Sequence, residues 1–308
     1  MKKILFFLFL FTAPAAFAQI DLDSMANSMA NSAPPAREFV RATFKTTRII
    51  NFPNTENVGK HILDFRISHR FGDLNSGAYN AFGLDGPACI RIAFDYGITN
   101  YLQVGIARTS IDKLIEGSAK WRILRQTTDN KMPVSLTWYA TMNYTAMKDP
   151  NAAITGYDKY NHLVDRFSYA HCLMLGRKFS DKFSIELNGF FIHYNIVDNI
   201  LDKNDIFAVG FSGRYKLTSR TAITWEYAYR INKYNSNPAI SYYDPIGVGF
   251  DIETGGHVFQ VHITNAFGMN EVQYIPFSTS NPFKGGLRVG FNISRVFTTG
   301  KKDPNNTW

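Results

Sequence analysis

Residues 63–71 read Leu63-Asp64-Phe65-Arg66-Ile67-Ser68-His69-Arg70-Phe71. Leu63, Phe65, Ile67, His69 and Phe71 share one face of an extended chain, and Asp64, Arg66, Ser68 and Arg70 share the other. A period of two with one apolar face is the pattern of a half-buried strand. Charges at every second position cannot sit in a dry core. They fit a strand whose apolar face meets lipid and whose polar face meets the inside of a barrel.

The pattern recurs along the chain. Ile90–Ile98, Leu102–Ala107, Ile115–Ile123, Val134–Met142, Phe167–Leu175 and Phe183–Phe191 alternate in the same way. So do Phe207–Leu217, Ile223–Ile231, Val248–Glu253, Phe259–Thr264 and Leu287–Ile293. Short connections at 99–100, 180–182, 218–220 and 254–256, with a moderate one at 126–132, alternate with long loops at 72–88, 146–165, 232–246 and 265–285 and shorter ones at 108–113 and 196–204. Membrane barrels have short turns on one side and long loops on the other. The expected fold is all-β, a single transmembrane antiparallel up-and-down β-barrel of about 12 strands with an N-terminal periplasmic arm. An even count puts both termini on the periplasmic side.

The N-terminus sets the compartment. Lys2 and Lys3, the apolar run Ile4–Phe11 and Ala16-Phe17-Ala18 form a secretory signal peptide over residues 1–18. Residues 19–58 are assigned to a periplasmic leader and pre-barrel segment, 59–298 to an outer-membrane β-barrel and 299–308 to a periplasmic tail. Within the pre-barrel segment, residues 41–52 alternate weakly and stop at the turn signal Phe52-Pro53-Asn54. They are expected either inside the lumen or across the periplasmic mouth. Apolar residues make up 45% of the chain and mean hydropathy is −0.17. That is too polar for a helical membrane protein and suits a barrel with a polar interior. Outward Tyr96, Phe183, Tyr215 and Phe297 towards one rim, and Phe71, Tyr144 and Tyr229 towards the other, read as two aromatic girdles.

Three stretches carry a family likeness: Thr43-Phe44-Lys45-Thr46-Thr47-Arg48, Asn51-Phe52-Pro53-Asn54-Thr55 and Leu63–Gly72. They resemble an uncharacterised outer-membrane β-barrel family of Bacteroidota-type bacteria, classed as a domain of unknown function, over about residues 40–297. The resemblance implies a barrel and its location. It supplies no substrate, catalytic residue or partner.

Net charge is +8, of which Lys2 and Lys3 supply two. The basic residues are scattered singly, so nucleic acid is not an expected partner. Cys89 and Cys172 face inward on well-separated strands, too far apart for a disulfide. No C-x-x-C-H motif attaches a haem, and the histidines lack the grouping of a metal site; no cofactor is expected. His69 and Ser76 lack the spacing of a barrel phospholipase, so the chain is read as a non-enzyme with no catalytic residues. The residues assigned to the lumen lining are Arg66, Arg70, Arg91, Asp95, Glu116, Lys120, Arg122, Glu186, Arg214, Glu226, Arg230, Asp251 and Arg288.

Two functions fit this interior. One is a narrow passive channel for small polar or ionic solutes, resting on a wet, charged lumen face containing Gly and Ser. The alternative is a non-transporting interaction or assembly barrel with a self-plugged lumen. Outer-membrane lipid and, during insertion, the barrel-assembly machinery are the expected partners, with small polar solutes in the first case. The small or neutral Gln103, Gly105 and Ala107 leave room for a charge network of Arg91, Asp95, Glu116, Lys120 and Arg122 reaching across the lumen. A wet lumen also predicts that Ser212→Arg is better tolerated than the lipid-face change Val209→Arg.

Overall fold

The computed structural model describes residues 38–149, 151–198, 202–232 and 240–300. The signal peptide, the leader up to residue 37 and the tail beyond residue 300 lie outside the described residues. The rest forms a closed antiparallel barrel of twelve strands, each paired with its neighbours in sequence. They are β1 (Ile62–Asp73), β2 (Cys89–Gly97), β3 (Leu102–Thr109), β4 (Leu114–Leu124), β5 (Ser135–Thr145) and β6 (Phe167–Lys178). β7 (Phe183–Tyr194), β8 (Asp205–Lys216), β9 (Thr221–Arg230), β10 (Ile246–Thr254), β11 (His257–Thr264) and β12 (Arg288–Thr298) complete the ring. A strand of about ten residues, rising about 3.3 Å per residue and tilted about 40°, covers the apolar band of about 25 Å.

The seam closes by pairing β1 with β12, from Ile62 opposite Thr298 to Arg70 opposite Gly290. Closure leaves no strand edge, which a bilayer requires because lipid cannot hydrogen-bond an orphan backbone. Burial alternates along the strands, with a break at Gly213 of β8, where three successive residues are buried. In β9, Ala222, Thr224, Glu226, Ala228 and Arg230 are buried, while the residues between them are partly or fully exposed. Outward faces carry Ile92, Phe94, Val209, Phe211, Val248, Phe250 and Val261, exposed to the surroundings. Histidines join this outer face by stacking: His171 lies between Trp138 and Phe191, and His69 stacks on Phe291.

β1 starts and β12 ends at the rim that carries the short turns. At the opposite rim the connections are long and hold local hydrogen bonds. Asp149, for example, accepts the backbone N–H groups of Lys159 and Asn151, which hold its carboxyl below the usual carboxylate range.

Eight strands make a barrel that wall side chains can fill, and twelve leave a hole. Here the hole is filled by the chain itself. Backbone bonds from Val40 to Gln126 and from Thr128 to Glu38 tie residues 38–40 to the β4–β5 turn. Residues 43–58 then run into the lumen and return, and all except Lys45 and Glu56 in that run are buried. The tip is a tight turn closed by Ile49 N–H to Phe52 O at 2.9 Å, and Asn54 N–H bonds Thr47 O behind it. Of the two sites open to residues 41–52, the lumen takes 43–52, and Arg41 and Ala42 stay exposed.

The connection between β11 and β12 enters from the other rim. Asn265, Ala266 and Met269–Ile275 are buried, including a single helical turn, Glu271–Tyr274, whose N-cap Asn270 accepts from Val272 N–H. From the sequence this stretch is a long outer loop. Its apolar content (Ala266, Phe267, Met269, Val272, Tyr274, Ile275, Phe277) explains the difference, because a solvated loop would leave that surface in water.

Candidate functional site

The lumen is the candidate site, and its centre is where the hairpin and the inward loop meet. Arg48 donates to Glu271 Oε1 at 2.7 Å, to Tyr139 Oη at 2.8 Å and to Asn51 O at 2.7 Å. The Phe52 ring stacks on Tyr274 at 5.6 Å and meets Phe190 edge-on at 5.2 Å. Asn270 Nδ2 donates to Glu116 Oε2 at 2.7 Å and to Asn143 Oδ1 at 2.8 Å. One polar and aromatic cluster therefore joins the hairpin, the loop and the wall.

The wall residues named from sequence parity fall into four groups. Arg91 and Glu116 form a bidentate pair at 2.7 Å across β3, and Tyr139 Oη adds a bond to Glu116 at 2.9 Å. Lys120 and Arg122 do not join that pair. Lys120 Nζ donates to the carbonyls of Thr47 and Glu56 at 2.9 and 3.1 Å. Arg122 reaches Thr55 O at 3.3 Å and Glu56 Oε2 at 3.0 Å. The network expected to run from wall to wall is therefore wall to hairpin beyond its first pair, because the hairpin occupies the space between. Asp95 is only partly buried, and its carboxylate crowds Gly105, where a β-carbon would come within 2.3 Å.

The second group holds the hairpin from the other side. Glu226 accepts the N–H groups of Ile50, Asn51 and Phe52 and the Asn51 side-chain amide, at 2.6–3.1 Å. Three successive N–H groups converging on one carboxylate form an anion-binding nest at the turn. Glu186 accepts Thr55 N–H at 2.7 Å and Asn188 Nδ2 at 2.8 Å. Arg66 bridges Asp64 and the Thr47 hydroxyl, and Arg70 donates to Asn51 Oδ1 at 2.9 Å.

The third group sits at the short-turn mouth. Arg214 lies between Asp251 (3.6 Å) and Glu253 (3.1 Å), and Glu253 also pairs with Lys45 of the hairpin at 2.9 Å. A cavity of about 450 Å³ opens here beside Phe44, Lys45, Glu56 and His257. The fourth group, Arg230 with Asp244 and Arg288 with Asp73, lies at the long-loop rim and has no contact with the hairpin among its hydrogen bonds.

Inward Gly and Ser residues point from sequence to a wet lumen, and here the structure differs. A β-carbon at Gly210 would lie 2.8 Å from the Phe52 ring, one at Gly247 would lie 3.1 Å from Ile50 Cδ1, and one at Gly176 would lie 2.7 Å from Thr55 Oγ1. The small residues make room for the hairpin. Ser212 is fully buried and bonds Asn188 Oδ1 at 3.3 Å, so it does not meet water, the ground on which an arginine there was expected to cost less than one at Val209. Cys89 and Cys172 are both buried and free. Parity could not show the contributions of Arg48, Tyr139, Asn188, Gln260, Asn270, Glu271 and Asn292. Their roles depend on which chain segment enters the lumen.

Comparisons with known proteins bear on the fold. No curated protein sequence matches the chain. Among solved structures, a KdgM porin aligns over 77% of this chain and 99% of its own, with 11% identity and a TM-score of 0.46. The Acinetobacter baumannii outer membrane protein Omp33 aligns over 77% and 99%, with 9% identity and a TM-score of 0.42. A mutant Rhodopseudomonas blastica porin aligns over 72% and 58%, with 14% identity and a TM-score of 0.31. A profile described as a membrane bound beta barrel domain of the DUF5777 family matches residues 44–297. That span takes in the lumenal hairpin from Phe44 as well as all but the last residue of the wall, and the chain belongs to that family of membrane-bound β-barrels.

Proposed function

We propose that the protein is an outer-membrane channel closed at rest, and that small polar solutes pass when the hairpin of residues 43–58 is displaced towards the short-turn mouth. In this reading both ends of the barrel chain face the periplasm, and the long loops face outward. Its wall contacts lipid, and it reaches the membrane through the barrel-assembly machinery.

One observation carries the reading. The hairpin is held to the wall by hydrogen bonds and ion pairs, from Lys120, Arg122, Glu186 and Glu226 among others. Hydrogen bonds to charged groups of this kind contribute a net of about 1.5–3 kcal/mol each, because water replaces the protein partner when they open. A permanent filling is better made from apolar side chains, which are often neutral or more stable in place of buried charge. A wall left wet and charged after the hairpin moves is a serviceable pore.

The non-transporting alternative has its own support in closure from both rims, with Arg48 locked to Glu271 and Phe52 stacked on Tyr274. Bilayer conductance separates the two. The full-length chain should give rare, small openings, and the variant Arg48→Ala with Phe52→Ala should give frequent, larger ones. A folded double variant that remains silent under voltage and in liposome swelling would favour the non-transporting barrel.

A further inference from the structure

Three buried charges in the lumen make no ion pair within 4 Å among the described residues, although Glu186 lies within electrostatic range of Lys120 and Glu226 within that of Arg70. Lys120, on β4, is held by the carbonyls of Thr47 and Glu56. Glu226, on β9, is held by the N–H groups of Ile50, Asn51 and Phe52 and the Asn51 amide. Glu186, on β7, is held by Thr55 N–H and Asn188. All three are buried. Elsewhere in the lumen the charges pair with each other, as Arg91 does with Glu116, Arg66 with Asp64 and Arg214 with Glu253. Neutral Asn or Gln could satisfy peptide groups without the desolvation cost of a full charge. The need to bond a buried backbone therefore does not explain the choice of Lys and Glu.

The positions supply a reason. In the ring of twelve, β9 lies five strands from β4 and so nearly opposite it, and β7 lies three strands from β4. The hairpin bridges the gap. Its base rests on Lys120 and Arg122, and its tip rests on Glu226. When the hairpin leaves, Lys120 and Arg122 lose their carbonyl partners and Arg122 also loses Glu56. Glu226 loses every N–H donor it has, and Glu186 loses Thr55. The opened lumen then presents the freed cations Lys120 and Arg122 on β4 and the freed carboxylate of Glu226 nearly opposite on β9, with Arg70 of β1 also released from Asn51.

We propose that the cargo is zwitterionic, a free amino acid or short unblocked peptide, taken with its ammonium towards Glu226 and its carboxylate towards Lys120 and Arg122. This rests on the channel reading above. Each wall charge keeps a hydrogen-bonding partner throughout: the hairpin's peptide groups occupy the site at rest, and the solute's own charges replace them during transit. A singly charged solute leaves one wall uncompensated, and a neutral one leaves both.

The test is liposome swelling with the full-length Arg48→Ala, Phe52→Ala protein, using diglycine, N-acetyl-diglycine, diglycine amide and a neutral sugar of similar mass. Diglycine should enter roughly tenfold faster than either singly charged form, the effect of about one extra charge-assisted contact. Adding Glu226→Gln and Lys120→Met should abolish the preference for diglycine over its two singly charged forms. If the double variant gives no heat-modifiable band, Gly97→Ala loosens the hairpin where it re-enters the wall without touching the charged residues. Passage of all four solutes at rates ordered by size alone would overturn the zwitterion proposal and leave the channel standing. Entry of no solute through either loosened protein would overturn both.

Discussion

A barrel residue is described by which side of the wall it faces, and alternation reads that directly. Leu63, Phe65 and Ile67 could be separated from Asp64, Arg66 and Ser68 because the strand period is two. Alternation cannot show what an inward side chain touches. Ser212 reads as a water-facing position and is in fact sealed against Asn188 with no exposure, while Val209, one turn of the pleat away, is 49% exposed on the lipid face. Val209→Arg should cost about 2–4 kcal/mol near the midplane. Ser212→Arg should cost at least as much, because the new charge enters a filled interior. Urea titration of the refolded protein in vesicles checks the ranking, and a benign Ser212→Arg would show that the lumen around it is hydrated. Gly97 is a second such residue. A β-carbon there would lie 1.9 Å from Gly59 O, which is backbone and cannot swing aside. Gly97→Ala should leave the barrel assembled but lift residues 58–60 from the wall, with conductance rising in planar bilayers.

The strands were legible as elements because each carries its own signal within about ten residues. The two segments that fill the lumen were not, for different reasons. Residues 41–52 alternate only weakly, since a turn at 49–52 reverses the chain and both faces of 46–52 are buried in the lumen. Residues 265–281 have no period, and their inward course is signalled only by an apolar content out of place in a solvated loop. Neither signal says that the two segments meet, because that contact joins positions more than two hundred residues apart. Their contact has a measurable size. Phe52 and Tyr274 stack with ring planes 17° apart, and aromatic pairs contribute about 0.5–1.5 kcal/mol beyond the area they bury. A double-mutant cycle of Phe52→Leu and Tyr274→Leu should return a coupling energy in that range. Strict additivity would mean that hairpin and loop occupy the lumen independently.

On the scale of the whole molecule, the two rims are mechanically joined. The hairpin enters from the short-turn rim and the loop from the long-loop rim, and Arg48 is the residue that binds both, through Asn51 O on its own hairpin and Glu271 on the loop. Removing its guanidinium leaves the Glu271 carboxylate buried without its ion pair, a loss of about 3–5 kcal/mol when one partner of a buried pair is deleted. The cheapest relief is for the loop to move outward until Glu271 reaches water. The change should therefore be felt at the rim opposite the one from which Arg48 enters. Val272 is buried in the loop, and both native cysteines are buried and free, so Val272→Cys adds a thiol reporter against a silent background. In intact cells a membrane-impermeant maleimide should label Val272→Cys slowly. Combined with Arg48→Ala, labelling should be at least severalfold faster, at rates set by the population of the open loop. Equal labelling with and without Arg48 would show that the rims open separately. In that case the hairpin alone would gate the lumen, and the loop would be a fixed lining.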